Sequence, residues 1–123
     1  MEDYVSFEIA KLLKEKRFDG DTSCYYTPDN EKRWVYQHYQ DFDKKDRIEC
    51  PTLQMAMKWL REVHHIFIQI DYVHSYAGTF EYSYEIHNMS KGRSITTSTF
   101  NDNYETYEKA IEAAIKYCLT NLI

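Results

Sequence analysis

Apolar residues recur at helical spacing in three stretches of the chain, residues 6–16, 52–64 and 106–121. Within each stretch, apolar positions lie three and four residues apart and polar positions fill the gaps, which is typical of a helix with one buried face. A hydroxyl-bearing residue begins each stretch, and such side chains cap helix N-termini by accepting a backbone N–H. These N-cap candidates are Ser6, Thr52 and Thr106. The pattern therefore predicts three amphipathic helices.

Between the second and third helices the hydrophobic period changes to two. Residues 66–73 and 80–87 alternate apolar with polar side chains, as half-buried antiparallel strands do. A turn is predicted at 75–78, and the Thr-rich residues 94–100 after Lys91-Gly92 predict a third strand.

An N-terminal hairpin is predicted from aromatic and β-branched residues around a turn cluster. Residues 24–26 and 33–39 flank Pro28-Asp29-Asn30, and the charged residues 41–47 then predict a solvated loop. The predicted order is α-β-β-α-β-β-β-α, an α+β fold with an antiparallel sheet and helices packed on one face. Because 123 residues suit one domain and no linker interrupts them, the prediction is a single domain, 1–123, in which 52–123 form an α-β-β-β-α unit.

Charge and cysteine usage narrow the function classes. Fifteen basic against twenty acidic residues give a net charge of −5, which disfavours non-specific binding to nucleic acid or membranes. No apolar run approaches the roughly 18 residues of a transmembrane helix, and the acidic N-terminus does not resemble a signal peptide. The three cysteines form no CxxC pair, so we expect reduced thiols in a cytoplasmic protein.

Side chains that could ligate a metal concentrate around the second helix and the following strands. They are His64, His65, Asp71, His74, Glu85 and His87. Their spacings match no HxH, HxxxH or HExxH pattern, so no metal site is predicted. The chain also lacks a nucleophile elbow and a Gly-rich phosphate loop, so we expect neither a cofactor nor an enzymatic activity.

Aromatic residues are abundant, with 12 Tyr among them, and they favour a role in protein binding. Tyrosine is enriched in interfaces because it joins a large apolar area to a polar tip. The candidate contact residues on the N-terminal hairpin are Tyr25, Tyr26, Trp34, Tyr36 and Tyr39. Ordinary packing within the protein remains the alternative for each of them. The expected partner is another protein, or a second copy that pairs through an exposed sheet edge.

The C-terminal 70 residues or so resemble double-stranded RNA-binding domains in their order of helix, three strands and helix. The stretch Tyr107-Glu108-Lys109-Ala110-Ile111-Glu112-Ala113-Ala114 is similar to the Ala-rich start of that family's last helix. This resemblance implies nucleic-acid binding as the alternative function. Where the family presents a lysine cluster to phosphates, this chain has Glu105, Glu108 and a single lysine, Lys109, although exposed tyrosines can stack on unpaired bases.

A second resemblance covers most of the chain. Residues 4–16, 50–64 and 108–122 resemble small proteins of gut Bacteroidetes that occur in phages and other mobile elements, a family without an assigned activity. The resemblance implies an accessory protein made inside a bacterial cell. Together with the composition, it leads to the hypothesis of a non-enzymatic protein-binding protein.

Overall fold

Helices and short strands alternate along residues 3–34, 47–74, 80–97 and 103–123, the parts of the chain that the computed structural model describes. The elements in chain order are α1 (Phe7–Glu15), β1 (Cys24–Tyr26), β2 (Lys32–Trp34), β3 (Ile48–Glu49), α2 (Leu53–His64), β4 (Ile66–His74), β5 (Phe80–Asn88), β6 (Arg93–Thr97) and α3 (Tyr107–Tyr117), followed by a π-helical turn (Cys118–Leu122). Helices combined with antiparallel strands confirm the predicted mixed α and β class.

The strands form two sheets where one was expected. The first sheet has the order β2-β1-β3 and the second the order β4-β5-β6. They belong to two compact units, unit 1 (Met1–Met55) and unit 2 (Ala56–Ile123), and the boundary falls in the first turn of α2. Strands close in sequence pair with each other most readily, and each sheet here is built from consecutive strands.

The predicted helix caps are confirmed at all three N-termini. The hydroxyls of Ser6, Thr52 and Thr106 each accept the backbone N–H of the residue three positions later, at 3.3, 3.1 and 3.1 Å respectively. Each cap satisfies one of the N–H groups that the first helical turn leaves without an intrahelical partner. The local sequence therefore fixes where each helix begins.

In unit 1, β1 is the central strand and pairs antiparallel with β2 and β3. The sequence pattern missed β3, because a strand of two residues shows no alternation. Helix α1 packs near β3 and buries Ile9, Ala10 and Leu13. Strand β2 follows the turn that was predicted around Pro28, and the rest of the predicted strand and the predicted loop, residues 35–46, lie outside the described residues.

In unit 2, β5 is the central strand and pairs antiparallel along its whole length with β4. Ile66, Ile68 and Ile86 are buried on one face of this sheet, and α3 packs against β4 and β5. The residues of α3 that are buried are Ala110, Ile111, Ala114 and Ile115. The prediction of a helix packed on an antiparallel sheet is thus confirmed within this unit. The predicted turn at 75–78 and residues 98–102 lie outside the described residues.

The last helix ends differently from its prediction. Regular α-helix stops at Tyr117, and Cys118–Leu122 form a π-helical turn where the pattern predicted continued α-helix to residue 121. The side-chain amide of Asn121 donates to the carbonyl of Tyr117 at 3.3 Å, the acceptor that its own backbone N–H would use in an α-helix. Cys118 and Leu119 nevertheless remain buried, so the apolar face continues through the turn.

Candidate functional site

Two of the predicted contact residues lie inside unit 1. Tyr25 is fully buried and carries the guanidinium of Arg47 over its ring, 5.1 Å from the centroid. Tyr26 is 9% exposed, and its hydroxyl donates to the carbonyl of Val5 at 2.9 Å. Both side chains contribute packing to this unit, which is the alternative that the sequence left open for them.

Trp34 is half-buried at the end of β2 and belongs to a small aromatic cluster. Its ring meets that of Tyr4 edge-on at a centroid distance of 5.6 Å, and the ammonium of Lys32 lies 4.5 Å from the Tyr4 ring and 5.7 Å from the Trp34 ring. Such cation–π contacts fix a cationic head over an aromatic face. The two remaining candidates, Tyr36 and Tyr39, lie outside the described residues.

The register places Asp71, Glu85 and His87 on one face of the β4–β5 hairpin, whereas the side chain of His74 lies outside the described residues. Among the residues with described side chains, no three His, Cys, Asp or Glu groups converge on a point that could hold a metal ion. His87 lies 3.7 Å from Glu85, and Asp71 accepts a hydrogen bond from Gln69 at 2.9 Å. These contacts join neighbours on one strand.

The two adjacent histidines at the end of α2 occupy different environments. His64 packs edge-on against Trp59 at 4.6 Å, and burial, together with the charge of His65, lowers its pKa below the ordinary value of 6.5. His65 is exposed and has a φ of 57°, the left-handed conformation that commonly ends a helix. The predicted end of the second helix at residue 64 is confirmed.

The strongest surface feature of unit 2 is an apolar patch that the sequence analysis did not identify. We call it the apolar end, and it consists of the exposed side chains of Val63, Phe67, Met89 and Ile95, which are 54%, 39%, 51% and 38% exposed. They come from the last turn of α2, the start of β4, the residue after β5 and the start of β6. Large exposed apolar side chains that cluster at one place on a domain mark interaction surfaces.

Strand pairing places these residues at the same end of the β4-β5-β6 sheet. The N–H of Met89 donates to the carbonyl of His65 at 2.8 Å, and Phe67 pairs directly with His87. A bulge between Ile86 and His87 sets two residues of β6 opposite one of β5, and Ile95 is the extra residue. The alternation of β4 alone could not reveal this patch, because the patch depends on the register among three strands.

Three cationic side chains, which we call the cationic rim, lie within two positions of residues of the apolar end along the sequence. Lys91 and Arg93 are exposed in the turn before β6 and at its start, and Arg61 is half-exposed in the last turn of α2. The nearby carboxylate of Glu62 lies 4.0 Å from the ammonium of Lys58, in an ion pair on the same helix. This cationic rim contrasts with the net charge of −5 for the chain.

The start of α3, where the sequence analysis raised nucleic-acid binding as the alternative function, presents mainly acidic groups. Glu105, Glu108 and Lys109 are exposed, and the Lys109 ammonium lies 3.6 Å from the Glu105 carboxylate. The lysine that could contact a phosphate is therefore already neutralised by a neighbour one turn away, and the second glutamate would repel the phosphate.

Unit 1 has a shallow concavity of about 320 Å³ that opens to solvent. Lys11, Lys14, Glu15, Pro28 and Ile48 line it. The ammonium of Lys14 donates to the backbone carbonyl of Arg47 at 2.9 Å, so this lysine has a structural partner. The lining offers one carboxylate and no nucleophile paired with a base, and the concavity supports no particular reaction.

Comparison of the chain with protein-family models, curated proteins and solved structures finds no match. None of the helices in the described ranges has the length and hydropathy that a bilayer-spanning segment requires.

Proposed function

We propose that the protein is a non-enzymatic protein-binding protein, and that it holds its partner at the apolar end of unit 2. The observation that carries this proposal is the exposure of four large apolar side chains at one end of one sheet. Leaving these side chains in water costs free energy, which burial against a partner recovers at roughly 25 cal/mol per Å² of apolar surface.

The cationic rim specifies the chemistry of the partner. A partner that covers Phe67 and Ile95 places its flanking side chains next to Lys91 and Arg93, so acidic flanks on an apolar segment fit this surface best. Complementary charge at the edge of an interface accelerates association and excludes wrong partners. If the chain belongs with the small mobile-element proteins that it resembles, the partner is a bacterial protein.

The test is affinity capture from a lysate of gut Bacteroidetes cells, with and without nuclease. We expect one defined protein to be captured by the wild type, and to be lost with the double variant Phe67→Ser/Ile95→Ser and with Arg93→Glu. Tyr107→Ser is the matched control, because this side chain is also 40% exposed in unit 2 but lies at the start of α3.

Two results would contradict the proposal. Capture that persists in the Phe67→Ser/Ile95→Ser variant places the contact elsewhere, with the Tyr4–Lys32–Trp34 cluster as the next surface to test. Capture that disappears on nuclease treatment supports the nucleic-acid alternative instead. Far-UV circular dichroism on every variant separates loss of binding from loss of folding.

The free edge of β4 favours a second candidate function, self-association. Among the described residues of unit 2 this strand pairs on one side only, with β5. The hydrogen bond between Met89 and His65 fixes the alternation, so Ile66, Ile68 and Ile70 direct their backbone N–H and C=O groups away from β5, toward the other edge of β4. A free edge of this length can pair with another strand.

A second copy of β4 fits this edge in a symmetric antiparallel register. With Ile70 opposite its own counterpart, Ile68 lies opposite Tyr72 of the other copy and Gln69 opposite Asp71. An amide then faces a carboxylate, and no two like charges meet. Light scattering coupled to size exclusion tests this arrangement. The mass should be twice 14.9 kDa and should fall to 14.9 kDa in Ile70→Pro, which removes one edge-facing N–H. A wild-type mass of 14.9 kDa at all concentrations would show that β4 does not pair in this way.

A further inference from the structure

Two of the three cysteines lie opposite each other across β1 and the end of β3. The register that pairs Tyr25 with Glu49 continues to Cys24 and Cys50, and the N–H of Cys50 donates to the carbonyl of Cys24 at 3.2 Å. The thiol of Cys24 also donates to the carbonyl of Cys50 at 3.4 Å. Both side chains are fully buried and both are free thiols.

Directly opposed residues of an antiparallel pair have Cα atoms about 5.5 Å apart when they are hydrogen-bonded, and disulfides span about 4.4–6.8 Å between Cα atoms. The Cys24 thiol donates to the Cys50 carbonyl and the Cys50 thiol to the Val5 carbonyl at 3.6 Å, so both sulfur atoms lie in the same buried region. Interaction with Cys50 lowers the pKa of Cys24, whereas interaction with Cys24 and burial raise the pKa of Cys50. The Cα spacing of such a pair therefore allows a disulfide once the two thiols leave the carbonyls of Cys50 and Val5 to which they donate.

We propose that Cys24 and Cys50 are a redox modification site that closes to an intramolecular disulfide when the protein meets hydrogen peroxide. The site is separate from the apolar end and does not depend on the function proposed for it. Its effect is local to unit 1, where the bond would join β1 covalently to the segment after β3.

The reaction proceeds in two balanced steps. The Cys24 thiolate attacks one peroxide oxygen, the O–O bond breaks, and Cys24 becomes a sulfenic acid while hydroxide leaves and takes up a proton as water. The sulfur of Cys50 then attacks the Cys24 sulfur, the S–O bond breaks, and the departing hydroxyl leaves as water with the Cys50 proton. Two thiols are oxidised and one peroxide is reduced to two waters.

Cys118 provides an internal comparison. It is fully buried in the π-helical turn of unit 2, and burial raises the pKa of its thiol to about 12. No other cysteine lies in unit 2. Cys24 combines a lowered pKa with a cysteine opposite it, and Cys118 has neither, so Cys118 should remain reduced while Cys24 reacts and is then joined to Cys50.

The experiment treats the folded, reduced protein with hydrogen peroxide and then counts free thiols in denaturant. We expect three thiols per chain before treatment and one after it, in a monomer that loses the mass of two hydrogen atoms. Digestion with trypsin without reduction should join peptide 18–32 to peptide 48–58 and leave peptide 117–123 with its thiol. This measurement needs no variant, so it does not depend on a substituted protein that folds.

Cys118→Ala and Cys50→Ala complete the design. On peroxide treatment, Cys118→Ala should fall from two free thiols per chain to none. Cys50→Ala should form no intramolecular disulfide. A wild type that keeps three thiols under peroxide, or that joins either peptide to 117–123 instead, would overturn the proposal. Dithiothreitol should then restore all three thiols of the wild type. Irreversible oxidation of Cys24 while Cys50 stays reduced would also overturn the proposal.

Discussion

Removal of the Tyr26 hydroxyl separates a packing role from a binding role at this predicted contact residue. The hydroxyl donates to the Val5 carbonyl at 2.9 Å in the interior of unit 1, and Tyr26→Phe deletes that donor while it leaves the ring in place. The ring also packs edge-on against Phe7 at 5.4 Å, a contact that phenylalanine preserves. The variant therefore removes the buried hydrogen bond to Val5 and, with it, the interaction of the hydroxyl with the Cys50 thiol.

The expected loss of stability depends on which hydrogen bonds the Val5 carbonyl keeps in the variant. A neutral hydrogen bond contributes about 0.5–1.5 kcal/mol net, and a buried acceptor left without a partner costs about 1–3 kcal/mol. The thiol of Cys50 also donates to this carbonyl, at 3.6 Å, and sulfur is a weak donor, so the carbonyl stays partly satisfied. We expect Tyr26→Phe to lower the free energy of unfolding by about 1–2 kcal/mol.

Urea denaturation followed by far-UV circular dichroism and tryptophan fluorescence measures this change. The midpoint should move to lower urea while the slope stays constant, which indicates a change in stability and not in the denatured state. Tyr107→Phe is the matched control, because its ring is 40% exposed and it should shift the free energy of unfolding by less than about 0.5 kcal/mol.

An unchanged midpoint for Tyr26→Phe would refute the assignment of this hydroxyl to the interior. If the same variant also lost partner capture, Tyr26 would act as a contact residue, as the sequence first suggested. A shift equal to that of Tyr107→Phe would show that the hydrogen bond to Val5 contributes nothing measurable.

Two further substitutions test local features of α3 and α2. Thr106→Ala should lower the free energy of unfolding by about 1 kcal/mol, because the cap on the Lys109 N–H is lost. Thr106→Ser keeps a hydroxyl and should retain most of this stability. Equal losses in the two variants would argue against the cap. His64 has a pKa below 6.5 in the folded protein, so the unfolded chain binds more protons and stability should fall as the pH drops below 6.5. His64→Gln should weaken this dependence in urea titrations repeated at several pH values, and an unaltered dependence would place its source in other groups.

The sequence by itself determined the local elements, because their signals lie within a few neighbouring residues. The hydroxyls of Ser6, Thr52 and Thr106 and the helical stripes behind them located the helix starts. The period of two in residues 66–73 and 80–87 located the two strands of the longest described hairpin. Each of these features depends on backbone geometry and side-chain alternation alone.

Only the tertiary structure decided how the strands group and what they place together. The two-residue strand β3 carries no periodic signal and is a strand only because β1 offers an edge to it. The same pairing brings Cys24 opposite Cys50, which are 26 positions apart in the chain. Likewise, Phe67 and Ile95 reach one surface through a register and a bulge. Register is a relation between distant segments, set by pairing and burial, so no local pattern in either segment contains it.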